Sequence, residues 1–250
     1  MINTKKLYYN DVFATDCIAT VVSKHNEKGI ILDQTVAFPE GGGQMGDHGT
    51  LHILDKELKI YFNDTQKGVG RLLPLSDFPS IQVDTPIYHS ANKSEFNQID
   101  VGDKVKVEID TERRTKLMQN HTGIHLVIMG IEKLYPGLSK WIKGAAIKED
   151  NARIDFAKQE KFSQEDIGFI TNYVNELIEK DYKINVYPHP DEPEAWYWEC
   201  CGFKMPCGGT HLPSTSFLKN VVVKRKTRGK GIERIIAEFP DARKMTDFFH

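Results

Sequence analysis

KVKVEID at residues 104–110, followed by TERRTKLMQNHTGIHLVIMGI at residues 111–131, is the stretch on which the fold turns. In the first of these segments Val105, Val107 and Ile109 alternate with charged residues, the period of two expected of a half-buried strand. In the second the apolar period lengthens to that of a helix. Leu117, Met118, His121, His125, Leu126, Met129 and Ile131 continue one face toward Pro136. Asp110 stands at the junction as an N-cap, with Arg113 and Arg114 close behind.

Upstream of this junction the chain reads as mostly β. Residues 19–22 and 29–32 flank a polar stretch at 24–28, a hairpin pattern, and further strands are expected at 50–54 and 58–61. Between them lies a turn-rich segment, FPEGGGQMGD at 38–47. Downstream a strand is expected over 145–156. Ser163 and Asp166 have the spacing of a capping box, and Ile167, Ile170, Val174, Leu177 and Ile178 follow at helical spacing. Residues 221–224 and 232–236 flank TRGKG at 227–231 as a last hairpin. The pattern divides into a β-rich N-terminal domain, residues 1–90, with the glycine-rich motif, and an α+β domain, residues 91–250, with the border after Pro86 and before Val101.

Hydrophobic residues make up 40% of the 250 positions and charged residues 27%, ordinary for a globular protein and enough to bury a core. The net charge of −2 gives no overall basic excess, so contact with nucleic acid has to come from a local patch. The densest basic stretch is Lys219, Lys224, Arg225, Lys226, Arg228, Lys230 and Arg234. The opening MINTKKLYYNDVF lacks the apolar run of a signal peptide, and no stretch approaches a membrane span. The chain is therefore expected to be soluble and cytoplasmic. Its cysteines, Cys17, Cys200, Cys201 and Cys207, read as thiols or metal ligands rather than disulfides.

The strongest chemical signal is a pair of spaced ligands. His121 and His125, at i and i+4, share one helix face and can grip one metal ion. Cys207 and His211 repeat the spacing, but Gly208 and Gly209 make a tight loop more natural than a helix there. Nine histidines and four cysteines placed at random give about 0.3 His–His and about 0.14 Cys-to-His pairs at this spacing, so both together are uncommon. Three nitrogens and one sulfur suit tetrahedral zinc. Four protein ligands are also the usual mark of a purely structural zinc. The aromatic run WYWECCGF at 196–203 adds Cys200 and Cys201 as rival ligands, although both read more simply as buried thiols.

FPEGGGQMGDHG at 38–49, NHTGIHL at 120–126 and PCGGTH at 206–211 together resemble, in order and spacing, the alanyl-tRNA editing proteins, free-standing relatives of the editing domain of alanyl-tRNA synthetase. Residues 153–156 sit where that family carries a similar strand. The resemblance runs from about residue 15 to 237. It implies an α+β fold, with a β-barrel-like N-terminal domain followed by an α+β editing domain. It implies zinc held by His121, His125, Cys207 and His211. It also implies hydrolysis of the ester on tRNA(Ala) mischarged with serine or glycine. Gly41, Gly42 and Gly43 would bring backbone amides to the substrate, Gln44 would meet the aminoacyl end or orient water, and Thr122 and Thr210 flank the ligands, where they could read a hydroxyl or cap backbone groups. Arg225 and Arg228 would meet phosphates. Gln119 and Asn120 depart from the family, which often has a basic residue before the first histidine.

Other readings fit less well. S-ribosylhomocysteine lyases share an HTxxH pair but carry glutamate where this chain has Ile124, and HExxH peptidases need glutamate at Thr122. A non-catalytic, zinc-stabilised RNA-binding module is the alternative of a different class.

Overall fold

The computed structural model describes residues 2–229, 231–245 and 248–250, with Lys93 described by its backbone alone. The chain is mostly β, and its contacts divide it into two compact units. Unit 1 comprises residues 1–41, 45–114 and 245–250; unit 2 comprises residues 42–44 and 115–244. No helix among the described residues is long and apolar enough to cross a membrane.

Unit 1 is built on a closed barrel. Its strands are β1 (Asp16–His25), β2 (Gly29–Leu32), β3 (Gly49–Ile53), β4 (Leu58–Lys67), β5 (Ile87–Ala91) and β6 (Lys104–Ile109), paired around the barrel in the order β6-β1-β2-β5-β4-β3. β6 closes it, pairing antiparallel with both β1 and β3, so that Val105 lies opposite Ala19 and Ile53 and Val107 opposite Cys17 and Leu51. Its alternation supplies the inward residues Val105, Val107 and Ile109. They pack with Ala19, Val21, Ile30, Leu32, Leu51, Ile53, Ile60 and Phe62 in one apolar core. The expected hairpin over 19–32 is present, Val21 facing Leu32, and the two strands expected at 50–54 and 58–61 pair with each other, Leu51 facing Ile60. The barrel strand β6 lies beyond the residue-90 border placed from sequence, and the contact-defined unit extends to Arg114.

Two buried polar devices sit in this unit. Asp47 and Arg114 are both fully buried and ion-paired, and Arg114 also donates to the carbonyls of Val36 (2.8 Å) and Val12 (3.0 Å). Asp47 Oδ2 accepts from the amide of Phe38 at 2.7 Å, which joins the two ends of the glycine-rich segment. His89, also fully buried, meets Thr35 Oγ1 at 2.9 Å and the carbonyl of Ile30 at 3.2 Å, and desolvation pulls its pKa down to about 4.

Helix α1 (Thr111–Leu134) begins where β6 ends. Asp110 caps it, its side chain accepting from the amide of Arg113 at 3.0 Å. Residues 117–131 are all buried, so the helix is covered on every side and not only along the apolar stripe read from sequence. Unit 2 adds an antiparallel sheet, β7 (Ile142–Ile147), β8 (Ala152–Ala157), β12 (Val222–Thr227) and β13 (Ile232–Glu238), ordered β7-β8-β13-β12. The single strand expected over 145–156 is two strands, turned by polar residues 148–151 with Lys148 N bonded to Asn151 O at 2.9 Å. Helix α2 (Gln164–Glu179) starts at the expected capping box, Ser163 and Asp166 each accepting from the other's amide. A second sheet, β9 (Asn185–His189), β10 (Glu192–Cys200) and β11 (Phe203–Pro206), contains the aromatic run.

Candidate metal centre

Within unit 2, α1 presents His121 and His125 one turn apart, their ring centroids 4.9 Å from each other at 88°. The loop after β11 carries Cys207 and His211 back to them, as the glycines suggested. Nε2 of His121 is 3.4 Å and Nε2 of His211 is 3.2 Å from Cys207 Sγ. One donor atom from each of the four residues lies within 4.8 Å of the others. Ligands around a tetrahedral ion bound at about 2.0–2.3 Å stand closer still, so modest side-chain adjustment brings all four onto one ion.

Two glycines are explained by what lies against them. A Cβ on Gly209 would stand 2.2 Å from Cε1 of His121, and one on Gly123 would stand 2.0 Å from the Phe239 ring. The motif spacing therefore sets packing distance as well as backbone freedom.

Burial decides the protonation of the site. Desolvation pulls His121 down to about 3 and holds His125 and His211 well below the ordinary histidine range, reinforced by repulsion from the neighbouring imidazoles. All three rings are neutral, with lone pairs free to bind a cation. Desolvation likewise pushes the Cys207 thiol up to about 12, against a smaller lowering from the Gly209 backbone. A dication would reverse that preference and leave a thiolate. Nδ1 of His125 is buried without a hydrogen-bond partner, a buried polar atom that a bound ion would account for. The residues present fit a metal ion, and their nitrogen and sulfur set fits zinc in particular.

A polar frame holds these donors. Gln44, fully buried, accepts from Nδ1 of His121 at 2.7 Å and from the amide of Thr210 at 3.0 Å, and it donates from Nε2 to Thr210 Oγ1 at 2.8 Å. Thr122 Oγ1 accepts from the amide of Leu212 at 2.9 Å and lies 3.4 Å from Nδ1 of His211. Gln44 reaches this frame because Gly43, at φ +90°, lies against Ala145 where a Cβ would stand 2.9 Å from its carbonyl oxygen, and Ile147 N bonds to Gly43 O at 2.7 Å. Gly42, at φ +60°, has open space on its Cβ side. Gly41 belongs to unit 1, near Lys67.

Other expected site residues lie elsewhere. Arg225 pairs with the buried Glu233 at 3.1 Å, Lys224 with Glu238 at 2.7 Å and Arg234 with Asp155 at 2.6 Å. Lys226 and Arg228 are exposed on the same hairpin, and Lys230 lies outside the described residues. Gln119 and Asn120 donate to backbone carbonyls, of Arg243 (2.6 Å) and of Lys148 (2.8 Å) and Glu149 (3.0 Å). The donor group contains neither Cys200 nor Cys201, and Cys201 is exposed, not buried as expected. Sequence reading missed Trp198. It is wholly buried, with its ring centroid 4.7 Å from that of His125 and nearly perpendicular to it. Its signal is the aromatic run, which sequence alone does not place on a strand beside the cluster.

Comparison with known proteins finds similarity to one class of synthetase. Residues 184–236, which include Cys207 and His211, match the family profile of the threonyl and alanyl tRNA synthetase second additional domain. Residues 184–236 are thus similar to that domain. Along most of its length the chain is also similar to alanine–tRNA ligases, in keeping with the editing family that its motifs resemble. It is 31% identical to the alanine–tRNA ligase of Pyrococcus abyssi over 93% of this chain and 25% of that protein. It is 30% identical to the ligase of Pyrococcus furiosus over 94% and 26%. It is 31% identical to that of Saccharolobus islandicus over 85% and 24%. The chain spans about a quarter of the length of these relatives.

Proposed function

We propose that the protein is a cytoplasmic, zinc-dependent hydrolase that edits alanyl-tRNA, removing serine or glycine wrongly esterified to tRNA(Ala). The observation that carries this reading is the convergence of His121, His125, Cys207 and His211 in a chain related along nearly its whole length to alanine–tRNA ligases. When bound, zinc supplies Lewis acidity toward an ester carbonyl or a water.

The chain's own groups prepare that chemistry. Gln44 keeps the proton of His121 on Nδ1 and leaves Nε2 free beside Cys207. Thr122 fixes the loop of His211 through the Leu212 amide, and Thr210 holds Gln44 from its other end. These three act as positioning residues. Gly41, Gly42 and Gly43 supply backbone that lets a terminal ribose and its ester approach closely, while Trp198 excludes water beside His125. Arg228 and Lys226, with Arg225, meet tRNA phosphates. Alanine is spared because a site built to hydrogen-bond the serine hydroxyl leaves polar groups unpaired without it.

Deacylation of Ser-tRNA(Ala), with Ala-tRNA(Ala) on the same tRNA as control, tests this in wild type and Cys207→Ala. Selective loss of serine that the substitution abolishes is the expected result. Turnover of both at equal rates would remove the selectivity claim. The four-donor set also favours a second reading, a closed structural zinc in a non-catalytic RNA-binding module. Zinc retention with no deacylation of any charged tRNA would establish that reading.

A further inference from the structure

Cys200 and Cys201 stand apart from the metal donors and have no role in the proposed hydrolysis. Cys200 ends β10, and Cys201 with Gly202 forms the turn into β11, across which Cys200 pairs with Phe203. In an extended strand neighbouring side chains point to opposite faces, which would hold adjacent thiols away from each other. Here Cys201 has φ +50° and Gly202 φ +76°, and the turn brings the two sulfurs to 3.7 Å. The pair is asymmetric: Cys200 is buried and Cys201 exposed. Desolvation pushes the Cys200 thiol up to about 12, which makes the exposed Cys201 the first sulfur to react.

We infer that Cys200 and Cys201 form a redox modification site at which a small peroxide closes a vicinal disulfide. The Cys201 thiolate attacks one oxygen of hydrogen peroxide. The O–O bond breaks, hydroxide leaves, and Cys201 becomes a sulfenic acid. The Cys200 sulfur then attacks the Cys201 sulfur. The S–S bond forms, the S–O bond breaks, and the departing hydroxide takes the Cys200 proton to become water. Two thiols are oxidised by two electrons in all, and one peroxide is reduced to two waters.

The geometry also sets the character of the bond. The sulfurs, 3.7 Å apart, must close to about 2.05 Å. Adjacent Cα atoms lie about 3.8 Å apart, short of the roughly 4.4–6.8 Å that disulfides prefer, so the ring is strained and easily reduced. A strained, exposed disulfide has a high potential. It therefore forms with peroxide and not with glutathione disulfide, and a mild thiol reopens it.

The test treats the full-length, zinc-loaded protein with equimolar hydrogen peroxide and maps the products by mass. The expected product is a peptide carrying both cysteines that has lost two hydrogens. Dithiothreitol restores it, and zinc stays bound. Cys200→Ser should instead leave a sulfenic acid on Cys201 that dimedone traps, and Cys201→Ser should give neither product. Dimedone-trapped Cys201 accumulating in the wild type without disulfide, or oxidation of Cys207 with zinc release before any change at this pair, would overturn the proposal. Phenylarsine oxide, whose arsenic is held by two thiols with loss of water, gives an independent check. It should bind the wild type at this peptide and neither serine variant, and failure to bind the wild type would refute the pairing.

Discussion

Gln44 Oε1 accepts a hydrogen bond from Nδ1 of His121 at 2.7 Å, although 77 residues separate them in sequence. The contact fixes which imidazole nitrogen faces Cys207. Gln44→Ala removes it and frees the ring to rotate and to change tautomer. Zinc affinity should fall about 10–100-fold, measured by competition with a chromophoric chelator, with the circular dichroism spectrum unchanged. Unchanged affinity would show that packing alone orients His121.

Gly209→Ala tests the same ring from its other side. The added methyl would stand 2.2 Å from Cε1 of His121 and 2.9 Å from Oε1 of Gln44, so the loop has to withdraw. Zinc stoichiometry should drop well below one per chain. Gly102→Ala is the control, since a Cβ there meets nothing within 4 Å and Gly102, at φ +97°, lies in the barrel unit. It should bind zinc normally, with a loss of stability of about 1–3 kcal/mol from the strained backbone.

Buried His89 gives the barrel a pH dependence. Its folded-state pKa is lowered to about 4, from an ordinary value of 6.5. Between those values the unfolded chain binds the extra proton, so stability falls as pH falls through that window and is fully present above 6.5. At about 1.4 kcal/mol per pH unit, the loss attributable to His89 is about 3 kcal/mol. Urea unfolding of wild type and His89→Asn from pH 7 to pH 4 should show the wild type losing more by that amount. Parallel curves would refute it.

The Asp47–Arg114 pair is fully buried, so removing one partner strands the other. Asp47→Ala leaves the guanidinium uncompensated and the Phe38 amide without its acceptor. Unfolding free energy should drop by about 3–5 kcal/mol. A drop below about 1 kcal/mol would mean that the carbonyls of Val12 and Val36 suffice for Arg114.

The sequence was most readable where one physical rule governed a segment. β6 showed its alternation, α1 its cap and period, and α2 its capping box, and all formed as expected. The convergence of the four candidate donors was legible from spacing, because i, i+4 on a helix and a glycine loop each leave few arrangements. Residues 185–206 were harder. Trp196, Tyr197 and Trp198 are bulky in succession, so no alternation marks β10, and its partner strands are short. Cys201 was expected to be buried like its neighbour, and only the left-handed turn exposes it. The Gln44 frame was illegible in another way. Its partners, His121 and Thr210, lie 77 and 166 residues away, and no local pattern encodes so distant a contact.

Gly42, Gly43 and Gln44 belong by their contacts to the later unit but are encoded in the middle of the earlier one, and residues 245–250 return to the earlier unit after the later one is complete. The two units are interlaced in the gene. A truncation at residue 114 would deprive the metal-binding fragment of Gln44, and a fragment of residues 1–114 would lack the amide of His250 that bonds to Phe13 O. Such a protein can be inherited, fused or grafted only as one block. Its heritable unit is the whole stretch of chain, even where its compact units are two.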